Sequence, residues 1–174
     1  GGHTEWRLPE SFEISTIADY TTINPSIDTT YFTLSVPYYL WSNTEYDNNT
    51  SKAWIKKLTN GTLRSYSKTD SYNVLCVKGN QMSNIFINNG NGTVSDNKTG
   101  LMWQKDDDGT LRNFEDSIEY CENLSLGDRI DWRLPNIKEL GSIIDYSNYN
   151  PPFDNSYFSQ VQQAYIYSST VYQG

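Results

Sequence analysis

The sequence predicts an α+β fold in which two helices lie beside a mostly antiparallel sheet. Three observations support this prediction: an internal repeat, short strand-like segments punctuated by Asn-Gly turns, and segments whose apolar residues recur at helical spacing. Within one repeat the order is strands, helix, helix, long loop and further strands. Segregation of helices from strands in this way is typical of an α+β domain.

The repeat is defined by a gapless alignment of the two ends of the chain. Trp6-Arg7-Leu8-Pro9 returns 126 residues later as Trp132-Arg133-Leu134-Pro135, and 18 of the 48 pairs between residues 1–48 and 127–174 are identical. We therefore expect residues 1–79 to be the C-terminal part of one module and residues 80–174 the N-terminal part of the next. On this interpretation the 174 residues are a window on a longer tandem array. The alternative is a short protein with a duplicated segment.

The elements of the first copy follow from its residue patterns. A helix after Pro9 is predicted by apolar residues at helical spacing: Phe12, Ile14, Ile17 and Ala18. A loop rich in polar residues and tyrosine follows, over residues 21–38. Strands are then predicted at 38–44, 53–57, 62–67 and 72–78, with Asn60-Gly61 as a hairpin turn.

The second copy supplies the elements that precede this helix in a module. Short strands are predicted at 85–87, 93–95 and 101–104, with Asn-Gly turns at 89–90 and 91–92. A helix capped by Asn113 is predicted by an apolar stripe at Phe114, Ile118, Cys121 and Leu124. A second helix after Pro135 is predicted by Ile137, Leu140, Ile143 and Ile144. The long loop is expected again at residues 147–164.

Composition and charge exclude several classes of function. The formal net charge is -8 and the pI about 4.5, which argues against binding the nucleic-acid backbone. No apolar run reaches the roughly 18 residues of a membrane span. Residues 88–174 hold 13 of the 21 acidic side chains. Asp106 and Asp108 are candidates for a Ca²⁺ site, since carboxylates suit hard cations, and a solvated acidic surface is the alternative. No other cofactor is expected.

Three segments carry a resemblance to a known family: GTVSDNKTGLMWQ at residues 92–104, DWRLPNIKEL at 131–140 and YSST at 167–170. Together they resemble the C-terminal domain of bacterial collagen-like adhesins, the Lcl C-terminal domain family. The resemblance implies a C-type-lectin-like module, present here as two partial tandem copies. It also implies a secreted or cell-surface bacterial protein without catalytic chemistry common to the family.

Two functions follow from the resemblance and the repeat. The first is a non-enzymatic surface repeat acting in adhesion or as a structural subunit of an extracellular fibre, with neighbouring copies, host proteins or matrix glycans as partners. The alternative is a lectin that binds carbohydrate or glycosaminoglycan. The acidic residues of calcium-dependent sugar sites are replaced here by Asn24-Pro25-Ser26 and Trp41-Ser42-Asn43, which disfavours that kind of lectin. An enzyme is not expected, because neither paired cysteines nor histidine clusters are present to support catalysis.

Candidate residues fall into a structural group and a recognition group. The WRLP motifs are expected to enter the core just before the second helix, with Pro9 and Pro135 in its first turn. Arg7 and Arg133 are expected to pair with Glu13 and Glu139, and Trp103, Trp41 and Tyr167 to be core aromatics. Loops on a rigid scaffold often carry recognition, so the long-loop tyrosines are the candidate ligand contacts: Tyr31, Tyr38, Tyr149 and Tyr157. A basic patch is predicted at Lys52, Lys56, Lys57 and Arg64.

Cys76 and Cys121 are disulfide candidates, and the sequence leaves their pairing open. The related fold ties its first helix to its last strand, which would pair each cysteine with a partner outside residues 1–174. The alternative is a bond between Cys76 and Cys121.

Overall fold

Two units of α+β structure are formed by the residues that the computed structural model describes, which are 5–81, 85–148, 152–159 and 166–171. Unit 1 comprises the described residues 5–81, 146–148 and 171. Unit 2 comprises 85–145, 152–159 and 166–170. The module boundary between residues 79 and 80 stays a prediction.

Unit 1 is built on a three-stranded antiparallel sheet with one helix against it. Its elements are β1 (Trp6–Arg7), α1 (Ser11–Thr16), β2 (Tyr39–Glu45), β3 (Lys52–Lys57), β4 (Thr62–Ser67) and β5 (Val77–Lys78). The sheet order is β2-β3-β4, while β1 and β5 form a separate antiparallel pair. Gly61 has a φ of +70° in the turn between β3 and β4, which confirms the Asn60-Gly61 hairpin.

The core of unit 1 lies between α1, the start of the long loop and one face of the sheet. Its buried apolar side chains are Ile14, Ala18, Ile27, Leu40 and Leu58. Alternation along β2 directs Leu40 and Ser42 toward α1 and Tyr39 and Trp41 to the opposite face. The helix is therefore joined to the sheet by apolar packing and by the Ser11–Ser42 hydroxyl contact of 3.0 Å.

Unit 2 holds the other set of predicted elements. They are β6 (Phe86–Asn88), β7 (Thr93–Asp96), β8 (Leu101–Gln104), α2 (Phe114–Glu122) and α3 (Ile137–Ile143), and the three strands form an antiparallel meander in chain order. The Asn113 side chain accepts a hydrogen bond from the backbone N–H of Asp116, which confirms the predicted N-cap.

The core of unit 2 lies between the meander, α3 and the segment after it. Its buried apolar side chains are Phe86, Val94, Leu140, Ile143, Phe153 and Phe158. The four apolar side chains of the predicted α2 stripe are only half-buried: Phe114, Ile118, Cys121 and Leu124. None of the helices that the structure describes has the length and apolar character needed to span a bilayer.

The same local structure recurs in both copies at the 126-residue offset. In the first copy, the Arg7 guanidinium donates two hydrogen bonds of 2.6 Å to the Glu13 carboxylate. In the second copy, Arg133 donates two to Glu139, at 2.7 and 2.5 Å. In both cases the glutamate also accepts the backbone N–H of the helix N-cap at 2.8 Å. The conformation of the motif is therefore encoded by an arginine and a glutamate six residues apart.

Two expectations about the WRLP motif are wrong. Pro9 and Pro135 precede the N-cap residues, Glu10 and Asn136, so neither proline lies inside the first helical turn. Trp6 does not enter the core, since it is 54% exposed. The reason is strand alternation: β1 turns Arg7 toward Glu13 on α1, which directs Trp6 to the other side.

Replacing Glu139 with glutamine tests the ion pair in unit 2. The Arg133 guanidinium lowers the pKa of Glu139, so the stabilisation is present above the ordinary glutamate pKa and is lost as pH falls through the lowered one. Because Arg133 is 58% exposed, we expect a loss of less than about 1 kcal/mol at neutral pH. The difference from the wild type should vanish in acid. Denaturant unfolding at a series of pH values measures this difference in unfolding free energy, with Glu119→Gln on α2 as the control. A difference between the Glu139→Gln protein and the wild type that stays constant at every pH would contradict the prediction.

Candidate functional site

The sheet of unit 1 carries a cluster of aromatic rings on the side that faces away from α1. Tyr39 and Trp41 come from β2, Tyr66 from β4, and Tyr72 from the segment that follows β4. We call these four residues the aromatic face. All four side chains are half-buried, so each ring has packed and accessible surface.

Tyr72 lies at the centre of the aromatic face. Its ring centroid is 5.6 Å from that of Tyr39, 5.3 Å from that of Trp41 and 5.3 Å from that of Tyr66. The interplanar angles run from 55° to 75°, the tilted and edge-on arrangements that aromatic quadrupoles favour. Desolvation raises the pKa of the Tyr72 hydroxyl, and nearby Asp70 adds to the effect.

The backbone next to Tyr72 fixes its position. The Asn73 N–H donates to the Tyr39 carbonyl at 3.0 Å, and the Asn73 carbonyl accepts from the Trp41 N–H at 3.1 Å. These bonds attach the segment beside β2 as a single parallel bridge between Leu40 and Asn73. The Asn73 side chain also donates to the Ser35 carbonyl at 2.7 Å. Tyr72 is therefore held by main-chain pairing on its C-terminal side.

Two cations border the aromatic face. The Lys57 ammonium lies 5.1 Å from the centroid of the Tyr39 ring, within the range of a cation–π contact. Arg64 is exposed and lies opposite Ile55, which in turn pairs with Trp41 across the sheet. The arrangement combines flat apolar rings with positive charge, which suits ligands that present an apolar face and polar or anionic groups.

The predicted four-residue basic patch does not form. Lys56 is only 1% exposed, and its ammonium group donates to the Tyr20 hydroxyl at 2.7 Å. Strand alternation places Lys52 and Lys56 on the sheet face opposite Lys57. Of the four predicted residues, only Lys57 and Arg64 therefore share a face with the aromatic rings.

The long-loop tyrosines lie in different surroundings. Tyr31 is 82% exposed, whereas Tyr38 is half-buried against the core of unit 1. In unit 2, Tyr157 packs against the core, with its ring centroid 5.5 Å from that of Phe86. Tyr149 lies outside the described residues. Their role as ligand contacts stays a prediction.

The other candidate residues have mainly structural surroundings. Trp103 packs against the core of unit 2, and the Trp132 indole N–H donates to the Leu126 carbonyl at 3.2 Å. Trp41 belongs to the aromatic face and is half-buried, so the expectation of a core residue applies to only part of its surface. The expectation of a core residue is wrong for Tyr167, which is 49% exposed and whose ring centroid lies 6.2 Å from that of Phe114.

Asp108, one of the two aspartates predicted as Ca²⁺ ligands, is paired with an arginine. Asp108 accepts two hydrogen bonds from Arg112, at 2.9 and 2.5 Å, and this guanidinium holds the Asp108 pKa well below its usual range. Among the described residues no group of three or more His, Cys, Asp and Glu side chains is arranged to hold a metal. A Ca²⁺ site at Asp106 and Asp108 stays a prediction.

Both cysteines are free thiols in this structure. Cys76 is exposed and immediately precedes β5, while Cys121 lies on α2 and is half-buried. Burial raises the pKa of the Cys121 thiol. The pairing of the two cysteines, with each other or with other partners, stays a prediction.

Comparison with known proteins identifies the repeat. The Lcl C-terminal domain family matches residues 1–78 and again residues 92–174, which together make up most of the chain. The chain belongs to this family, as two partial copies of a surface-associated, adhesin-type repeat domain. Neither the curated proteins nor the solved structures contain a match.

Proposed function

We propose that this chain is a non-enzymatic repeat of a bacterial cell-surface or extracellular protein, acting in adhesion or as a structural subunit of an extracellular fibre. The aromatic face of unit 1 is the recognition surface. The observation that carries this proposal is the four-ring cluster around Tyr72, which is half-accessible and bordered by Lys57 and Arg64. Family membership supports a surface role, and a C-type-lectin-like fold is part of the same proposal.

The physical properties of the aromatic face suit a binding surface. Tyrosine and tryptophan provide large contact areas with few rotatable bonds, so little conformational entropy is lost on binding. Ring packing and the bonds of Asn73 hold the cluster in place before a partner arrives. Binding energy in interfaces concentrates on aromatic and arginine side chains of this kind.

A lectin function is the second candidate, and the cations favour it. Sugar rings present apolar C–H faces that stack on aromatic side chains, and Lys57 and Arg64 add positive charge for carboxylate or sulfate groups. The overall charge of -8 opposes binding to polyanions, so short acidic glycans suit this face better than long sulfated polymers.

Alanine at Tyr72 and Trp41 tests the recognition surface. The Tyr72→Ala/Trp41→Ala protein should bind at least about 30-fold more weakly, the effect expected when side chains worth 2 kcal/mol or more are lost. Binding is measured on surfaces coated with matrix proteins, neutral glycans or acidic glycans. Tyr31→Ala is the matched control, because it removes an exposed tyrosine of the same unit.

Two outcomes distinguish the alternatives. Binding of the chain to acidic glycans that decreases in the Lys57→Gln/Arg64→Gln protein supports the lectin function. Binding to matrix proteins alone supports protein adhesion. Unchanged binding by the Tyr72→Ala/Trp41→Ala protein, with its circular dichroism preserved, would refute the aromatic face as the recognition surface. A loss on Tyr31→Ala would favour the long loop instead.

A further inference from the structure

Four positions on and after the helix that follows the WRLP motif are more exposed in unit 1 than their equivalents in unit 2. In unit 2 they are covered: Ser142 and Phe158 are 1% exposed, Ile143 is 5% exposed and Tyr157 is half-buried. In unit 1 their counterparts are more open: Thr16 is exposed, Ile17 and Phe32 are half-buried, and Tyr31 is 82% exposed. We call Thr16, Ile17, Tyr31 and Phe32 the open face of unit 1.

The meander of strands β6–β8 covers these positions in unit 2. The Phe86 ring centroid lies 5.3 Å from that of Phe158, edge-on, and 5.5 Å from that of Tyr157. Val94 of β7 belongs to the same core cluster and is fully buried. The Ser142 hydroxyl donates to Asp96 at the end of β7, at 3.3 Å. The meander thus contacts α3 and the segment after it through the side chains of Phe86, Val94 and Asp96.

The open face of unit 1 keeps the features that the meander contacts in unit 2. Ile17, Tyr31 and Phe32 are identical to their counterparts, and Thr16 retains the hydroxyl of Ser142. The backbone is preserved as well, since the N–H of Phe32 donates to the Asp28 carbonyl at 3.1 Å and that of Phe158 to Asp154 at 3.0 Å.

The covering strands are what differs between the units. Within the described part of unit 1, α1 contacts β2 and β3, and no strand of that unit occupies the position of β6 or β7. A cleft of about 120 Å³ lies beside the open face, lined in part by Ile27 and Phe32, the counterparts of Phe153 and Phe158. In unit 2 the Phe86 ring packs edge-on against Phe158 and belongs to the same core cluster as Phe153.

We infer that the open face of unit 1 binds a three-stranded meander of the Phe86–Gln104 type, supplied by another copy of the repeat. The counterpart of Phe86 fills the cleft beside Phe32, and the counterpart of Val94 covers Ile17. The counterpart of Asp96 lies beside Thr16, whose hydroxyl donates to the Glu13 carbonyl at 2.7 Å and would exchange that bond for the carboxylate. This surface shares no residue with the aromatic face, so either can fail without the other.

Extending the full chain tests this inference. Residues 80–126 are appended directly before Gly1, which reproduces the spacing that the same segment has before Gly127. We expect amide exchange in α1 and around Phe32 to slow about tenfold or more relative to the 174-residue chain, because the open face becomes a closed core. The matched control carries the changes Phe86→Ser and Val94→Ser in the appended segment only, and it should show no slowing.

Two results would overturn the inference. The first is unchanged exchange in unit 1 of the extended chain while unit 2 keeps its own protection. The second comes from a fallback experiment, used if the extended chain does not fold. In that experiment residues 80–126 are titrated as a separate polypeptide into the 174-residue chain, up to millimolar concentration. Absence of NMR shifts at Ile17, Tyr31 and Phe32 in that titration would also contradict the proposed docking. Shifts that disappear in an Ile17→Asp protein support it.

Discussion

The Phe158→Ala protein is expected to lose about 3–5 kcal/mol of stability in unit 2. Phe158 is 1% exposed, and its ring packs against Phe86 at a centroid distance of 5.3 Å and against Phe153 at 6.5 Å. Alanine would leave a cavity between the meander and the segment after α3, which neighbouring rings cannot refill without moving the strands. Amide hydrogen exchange measures the loss in each unit separately.

The equivalent substitution in the first copy is the matched control. Phe32 occupies the same place in the repeat but is only half-buried, so Phe32→Ala should cost about 1–2 kcal/mol, less than the effect in unit 2. Equal losses at the two positions would contradict the difference in burial between the units. If a further meander covers the open face, the cost of Phe32→Ala should rise toward that of Phe158→Ala.

The Leu40→Ala protein is expected to show the second large effect, a loss of about 2–5 kcal/mol confined to unit 1. Leu40 is fully buried in the core beneath α1, and its backbone belongs to the central contact between β2, β3 and Asn73. Removal of its side chain therefore leaves a void between helix and sheet. Denaturant unfolding combined with hydrogen exchange in α1 and β3 measures this loss.

Its control lies at the same position of the second copy. Ile166 is 44% exposed, so Ile166→Ala should cost less than about 1 kcal/mol. Phe158→Ala is therefore expected to cost more stability than Phe32→Ala, so the larger loss of this pair falls in unit 2. Leu40→Ala is expected to cost more than Ile166→Ala, so the larger loss of this pair falls in unit 1. A larger effect at Ile166 than at Leu40 would refute this assignment of the cores.

Much of the fold follows from sequence patterns because the signals are local. Asn-Gly dipeptides mark hairpins in which Gly61, Gly90 and Gly92 all have positive φ. The predicted strands at 53–57, 62–67 and 101–104 agree with the observed strands to within one residue. The arginine–glutamate pairing of the WRLP motif is likewise local, because six residues separate the partners.

The candidate site was harder to predict because its residues come from distant segments. The predicted strand at 72–78 is wrong over most of its length: only Val77–Lys78 is a strand, and Asn73 makes a single parallel bridge. That bridge places Tyr72 over the sheet, which no local pattern encodes. A partial signal was available in β2, where Tyr39 and Trp41 alternate with Leu40 and Ser42 and therefore share one face.

Burial of Lys56 could not be predicted from the charge pattern. Lysine is rarely buried unless it is paired. Here the Lys56 ammonium group lies on the sheet face that packs against α1, 2.7 Å from the Tyr20 hydroxyl and 4.8 Å from the centroid of the Tyr20 ring. Tyr20 precedes Lys56 by 36 residues, so only the tertiary fold brings them together. The consequence is an aromatic face bordered by two cations, where the sequence predicted a patch of four.

Ring-labelled tyrosine NMR tests the central claim most directly, because it distinguishes the aromatic face from the long loop in one experiment. The full chain is titrated with the matrix component or glycan that it binds in the adhesion assay, and the ring signals of each tyrosine are followed. The proposed function predicts shifts at Tyr39, Tyr66 and Tyr72 that saturate together, with little change at Tyr31. Shifts confined to Tyr31 and Tyr38, with the aromatic face unaffected, would contradict it.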